Sequence, residues 1–115
     1  MHQKIALLAA RHALHASGQE FKTFFEHGTL AVELYKPDGT DKQTPHDRDE
    51  VYLIASGHGT FVLEGDSTTI QTGDFLFVPA GAAHRFVEFS ADFSTWVLFY
   101  GPSGGESGTP INHLS

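Results

Sequence analysis

From residue 21 to residue 100 the chain is cut by glycine, proline and aspartate into short apolar pieces, none long enough to make a stable helix. Pieces rich in Phe, Val, Leu and Ile, broken at short and regular spacing, can bury their side chains only as strands of a sandwich or small barrel. Residues 21–25 lead to a break at His27-Gly28. Leu30–Tyr35 follows, with Leu30, Val32 and Leu34 on one face by period-two alternation. Residues 36–41 form a turn, in which Pro37 presets φ and Gly39 accepts a positive one. Residues 51–55 read as a buried strand closed by Ser56-Gly57-His58-Gly59, and residues 60–63 and 68–70 as a hairpin about Glu64-Gly65-Asp66. Phe75–Val78, residues 84–89 and Ser94–Tyr100 bring the count to about eight strands. The fold class is therefore all-β.

One helix precedes them. Residues 3–17 hold Ile5, Leu7, Leu8, Ala9, Ala10 and Leu14 in a loose apolar stripe, and Ser17-Gly18 is a stop signal. His12 and His15 lie three apart on that helix, but no carboxylate joins them, so they read as exposed positions. Residues 101–115 are rich in Gly, Ser and Pro and read as a tail, loose or draped on a partner. The chain divides into a helix and lead-in over 1–20, a β-domain over 21–100 and a tail over 101–115.

A formal net charge of −7, with only seven Lys and Arg scattered singly among 115 residues, argues against nucleic acid as a partner. No apolar run is long enough to span a bilayer, so no membrane role is expected. The N-terminus lacks the pattern of a secretory signal. Without cysteine there is neither a disulfide nor a thiolate metal site, which suits a cytoplasmic location. Ser90 and Ser94 have no base nearby in sequence and no elbow glycines, so nucleophilic hydrolysis finds no support.

Two stretches carry chemistry. Thr44-Pro45-His46-Asp47-Arg48-Asp49-Glu50 sets an imidazole and a carboxylate just ahead of the strand that ends at Gly57. Gly73-Asp74-Phe75-Leu76-Phe77-Val78-Pro79-Ala80-Gly81-Ala82-Ala83-His84 ends a strand at Pro79, turns at Gly81 and re-enters a strand at His84. The second stretch resembles the second motif of the cupin family, G-x5-P-x-G-x2-H-x3-N, through Gly73, Pro79, Gly81 and His84, with Glu88 at the Asn position. The first resembles the family's G-x5-H-x-H-x3/4-E-x6-G through His46, Glu50 and Gly57. Thr44 stands where that motif has its first histidine, and the opening glycine is one residue out of phase at Gly39.

This resemblance implies a jelly-roll β-barrel whose two motifs bring their ligands together inside the mouth. The implied metal ligands are His46, Glu50 and His84, two imidazoles and a carboxylate that suit Fe, Mn, Ni, Zn or Cu. By alternation Tyr52 and Ile54 share the face of Glu50, while Phe86 and Glu88 share that of His84. Thr44, Tyr52, Phe86 and Glu88 are thus the candidate pocket residues, with Tyr52 or Glu88 as a proton carrier. Gln43 should point away from Thr44 and His46. Asp49 should point outward, towards Arg48 or Arg85, and His58 should be solvent-exposed in its turn. Trp96 shares a face with Leu98 and Tyr100, read as cavity or interface packing. Small members of the family commonly form homodimers, for which Phe21, Phe24 and Phe25 offer apolar contacts. Three functions stay open: a metal-dependent enzyme of dioxygenase or isomerase type on a small organic molecule, a non-catalytic small-ligand-binding module without an essential metal, or a structural remnant whose barrel only supports dimerisation.

Overall fold

A computed structural model describes residues 2–114. One helix, α1 (Leu7–Ser17), precedes eight strands: β1 (Phe21–His27), β2 (Leu30–Tyr35), β3 (Asp49–Ser56), β4 (His58–Leu63), β5 (Asp66–Gln71), β6 (Phe75–Val78), β7 (His84–Val87) and β8 (Ser94–Tyr100). The strands form two antiparallel sheets, ordered β1-β2-β8-β3-β6 and β5-β4-β7, which face one another as an all-β barrel of jelly-roll type. Among the described residues no helix is long and apolar enough to cross a membrane.

The helix begins at Leu7 rather than at Gln3. No side chain caps it, and Ala6 is extended (φ −75°, ψ 138°), so the helical turns start only at Leu7. It ends as expected, with Gly18 left-handed at φ 71° and its N–H donating to the His15 carbonyl. Ala10 and Leu14 are buried against Leu34 of β2, together with Phe24, Ala55 and Trp96.

That contact fixes which face of the large sheet looks inward. The Leu30, Val32 and Leu34 face lies outside the barrel, Leu34 being fully covered under α1. Tyr35 and Glu33 therefore point inside. The same holds on β8, where Val97 enters the main core and Trp96 packs edge-on against Phe24 at 6.4 Å beneath the helix. Trp96 is thus no cavity residue.

The barrel core is aromatic. Phe86 sits 4.9 Å from Tyr52, 5.0 Å from Phe61 and 4.8 Å from Phe93, ring centroid to centroid. Each fully buried ring of this kind stabilises the fold by about 2–3 kcal/mol. Gly57, which closes the first motif, is required sterically as well as by its φ of 78°. A Cβ there would lie 2.5 Å from Ser90 Oγ and 2.8 Å from Phe93 Cα.

β7 is an edge strand of the small sheet, and the irregular chain from 36 to 48 runs beside it. No strand pairs there. Instead the buried Asp41 carboxylate accepts the Phe86 N–H at 2.8 Å, Tyr35 O–H at 2.7 Å, Gln43 N–H at 3.0 Å and Gln43 Nε2–H at 3.1 Å. Four donors compensate the burial of one carboxylate and close the sheet edge in place of a ladder.

Candidate metal centre

Glu50 lies on β3 between Phe99 of β8 and Val78 of β6, so its backbone is held from both sides. His84 opens β7 after the turn that starts at Pro79. His46 sits on the irregular segment before β3, where its carbonyl accepts the Gly81 N–H at 2.7 Å, joining the first motif to the second. Its ring stacks on Phe99 at 5.0 Å and 18°, and lies 5.5 Å from the His84 ring. One ligand atom from each of His46, Glu50 and His84 lies within 4.8 Å of the others, the one such group of His, Asp or Glu found among the described residues.

Both imidazoles are oriented the same way. His84 Nδ1 is 2.9 Å from the Ala82 carbonyl, and His46 Nδ1 is 3.2 Å from the Thr44 carbonyl. A carbonyl only accepts, so each Nδ1 carries the proton and each neutral ring presents Nε2 as an acceptor. Fixing the outer nitrogen on a carbonyl is how proteins orient metal-binding histidines.

In His84 this leaves a conflict that a cation would resolve. Its Nε2 is 2.9 Å from Glu50 Oε1, yet makes no hydrogen bond, and Glu50 Oε2 is likewise without a partner. Both side chains are enclosed, so with Nε2 unprotonated two acceptors meet at that distance. Two ligands of one ion bound at about 2.1 Å would have just such a separation. Without an ion, only a proton on Nε2 relieves the contact. Burial works to lower the His84 pKa, but the Glu50 carboxylate and the Ala82 carbonyl outweigh it and hold the value above the ordinary one.

Beside His46 lies a cavity of about 490 Å³, lined also by Glu33, Tyr35, Gln43, Arg48 and Phe99 among others. Tyr52, buried, donates its hydroxyl to Gln43 Oε1 at 3.0 Å and lies 3.4 Å from Glu50 Oε1. Burial first, then the Glu50 charge, pushes its pKa well up, so the phenol stays protonated. Glu33 is raised too, by burial and then by Glu50, against a hydrogen bond to Thr23 that lowers it.

Of the pocket candidates, Tyr52 and Phe86 are on the inner face as alternation requires, but both are buried in the core and neither lines that cavity. Thr44 is exposed and lines the cavity, and its carbonyl orients His46. Glu88 is not a pocket residue. β7 ends at Val87, and Glu88 takes a left-handed φ of 51° that breaks the alternation and turns it to solvent. Gln43 points inward, contrary to expectation, because its segment is not a strand and strand parity does not apply. Asp49 faces out of the barrel on the side of Val51, as expected, but is covered there rather than exposed. It pairs with no arginine, and its two oxygens accept backbone N–H groups of Ala80 and Glu106. His58, His12 and His15 are exposed. Glu33 was legible only as the residue opposite to Leu34, and its role depended on which β2 face was inside. Asp41 lay in a turn and gave no signal.

A family profile described as Cupin domain matches residues 31–96. An uncharacterised protein of Streptomyces coelicolor is 35% identical over 89 residues, covering 76% of this chain and 85% of that protein. An acireductone dioxygenase of Geobacillus thermodenitrificans is 38% identical over 66 residues, covering 51% of this chain. The match spans only 37% of that enzyme's length. A solved cupin-2 domain containing protein of Shewanella frigidimarina superposes with a TM-score of 0.60 at 20% identity, over 70% of this chain and 79% of that one.

Proposed function

The chain belongs to the cupin family, and from that premise we propose that it is a metal-dependent enzyme acting on a small organic molecule, with His46, Glu50 and His84 holding one divalent transition ion. The observation that carries this reading is the pair of enclosed ligand atoms, Glu50 Oε2 and His84 Nε2, that have no hydrogen-bond partner. Two imidazoles and a carboxylate suit Fe, Mn, Ni, Zn or Cu. When bound, such an ion supplies Lewis-acid polarisation of a substrate oxygen or, if redox-active, activation of O2.

The remaining chemistry falls to the chain's own groups. Val97 and Phe99 give the cavity an apolar wall that limits water around the reacting atoms. Arg48, at the mouth, lies 5.9 Å from the Phe99 ring and attracts an anionic end of the substrate. Tyr52 keeps its proton at Oη and holds Glu50 and Gln43 in register. Glu33, with its raised affinity for a proton, accepts and returns one at its carboxylate. The likeness to an acireductone dioxygenase, though it spans a minor part of that enzyme, supports the dioxygenase form over the isomerase form. The same proposal takes residues 21–100 as the barrel domain of a cytoplasmic homodimer, in which the exposed Phe21 and Phe75 become contacts.

Metal analysis of protein purified without a histidine tag tests the central claim. Close to one equivalent of a transition ion, removed by chelator and restored on addition, is expected. Less than about a tenth of an equivalent, unchanged by reconstitution, would leave the non-catalytic ligand-binding module as the better account.

A further inference from the structure

Two of the three ligands sit on paired strands, but His46 does not. Its segment is tied down largely by the chain that follows β8. Ser103 Oγ donates to Asp47 Oδ2 at 2.9 Å, and Gly104 N–H donates to the Asp47 carbonyl at 2.6 Å. Glu106 N–H donates to Asp49 Oδ2 at 2.8 Å, while the other oxygen of the same carboxylate accepts Ala80 N–H at 2.9 Å from the turn that leads to His84. Upstream, Gly101 N–H donates to Thr29 Oγ1 at 3.1 Å, and Arg48 donates to the Thr29 carbonyl. The residues gripped, Asp47 and Asp49, flank the ligands His46 and Glu50 on either side of Arg48.

We propose that residues 101–106 are a clamp that sets the position of His46 and Glu50, and that this Gly- and Ser-rich stretch is a working part of the metal site rather than a loose tail. The inference rests on the metal reading above. Its shape depends on glycine: Gly104 and Gly105 have φ of 89° and 90°, which L side chains rarely adopt. A Cβ on Gly105 would lie 2.8 Å from Asp49 Oδ1 and 3.2 Å from Ala80 Cβ. Asp49 is buried and spent entirely on two backbone N–H groups, so its carboxylate serves as a staple between β3, the motif turn and the clamp. Outer partners that orient ligands in this way typically contribute about 10–100-fold in metal affinity.

Cobalt(II) titration of the chelator-stripped full chain, followed by visible absorption at a temperature where circular dichroism shows each variant folded, tests this. Gly105→Ala and a chain ended after Gly101 should bind cobalt about 10–100-fold more weakly than the parent, with a weakened visible band as His46 leaves the ion. A chain ended after Ser107, which keeps every clamp contact, should bind like the parent. If Gly105→Ala and the shorter chain bind cobalt with parental affinity and spectrum, the clamp is overturned while the metal reading stands. If the parent itself binds no cobalt, both fall. Should the shorter chain fail to fold, Gly105→Ala alone decides between these results.

Discussion

Replacing Glu50 with glutamine should shift the stability of the metal-stripped protein in opposite directions on the two sides of the His84 titration. His84 keeps its proton to a higher pH in the folded chain than its ordinary value of 6.5. Its contribution to stability is therefore complete below the unfolded value and is lost as pH rises through the folded one. At about pH 5.5 the buried imidazolium faces the Glu50 carboxylate at 2.9 Å. Glutamine removes that charge partner and costs about 3 kcal/mol. At a pH well above the folded value the ring is neutral, two acceptors oppose each other, and the glutamine amide donates where the carboxylate cannot. One satisfied acceptor and one fewer buried charge stabilise the fold by about 2 kcal/mol. At about 4 °C per kcal/mol for a domain of this size, Tm falls by about 12 °C in acid and rises by about 8 °C in alkali. Metal at 100-fold over Kd should add about 2.7 kcal/mol to the parent, and the greater part of that is absent in the variant. Scanning fluorimetry at both pH values, with chelator and then with metal, reads all four quantities. A variant destabilised at both pH values that keeps the full metal shift refutes the reasoning, because Glu50 would then be an ordinary ion-pair partner.

Three further outcomes follow from the same structure. His84→Ala should abolish metal binding while His58→Ala, at the exposed first position of β4, changes nothing, as equilibrium dialysis would show; equal losses would mean the site is elsewhere. Asp41→Ala strands four donors, two of them buried and two half-buried, and should cost about 4 kcal/mol in urea denaturation. A loss under about 1 kcal/mol would show that water replaces the carboxylate there. The Glu33 carboxyl has its folded pKa raised above the ordinary 4.5, so its stabilising share is full below that value and lost as pH rises through the folded one. Glu33→Gln should therefore flatten the decline of Tm between about pH 5 and 7, and an unchanged slope would place Glu33 in solvent.

The strands were readable from local rules, and the candidate ligands from the resemblance to two short motifs. Phe75–Val78 and Ser94–Tyr100 coincide with their expected bounds because breakers flank them on both sides. β7 ran short for a reason no alternation shows, the left-handed turn at Glu88. The Glu50, Tyr52, Ile54 face and the His84, Phe86 face proved to be inside, since a one-residue slip would have put every apolar neighbour in water.

The amino-acid sequence by itself determined the all-β class and the relative phase of the alternating strands, because period-two alternation and Gly or Pro breaks act within a few residues, while the candidate trio His46, Glu50 and His84 came from the resemblance to the two cupin motifs. Only the tertiary structure decided which side of β2 faces the cavity. Alternation sets relative phase but not its sign, and α1 covering Leu34 turned Glu33 and Tyr35 inward. It also decided the fates of Asp41, Gln43, Asp49 and the stretch from 101 to 106. Their hydrogen bonds leave the regular strands and reach partners as many as 72 residues away, as between Gly101 and Thr29. A turn aspartate or a Gly-rich tail carries no local mark of such a partner, because the partner exists only once the barrel has closed.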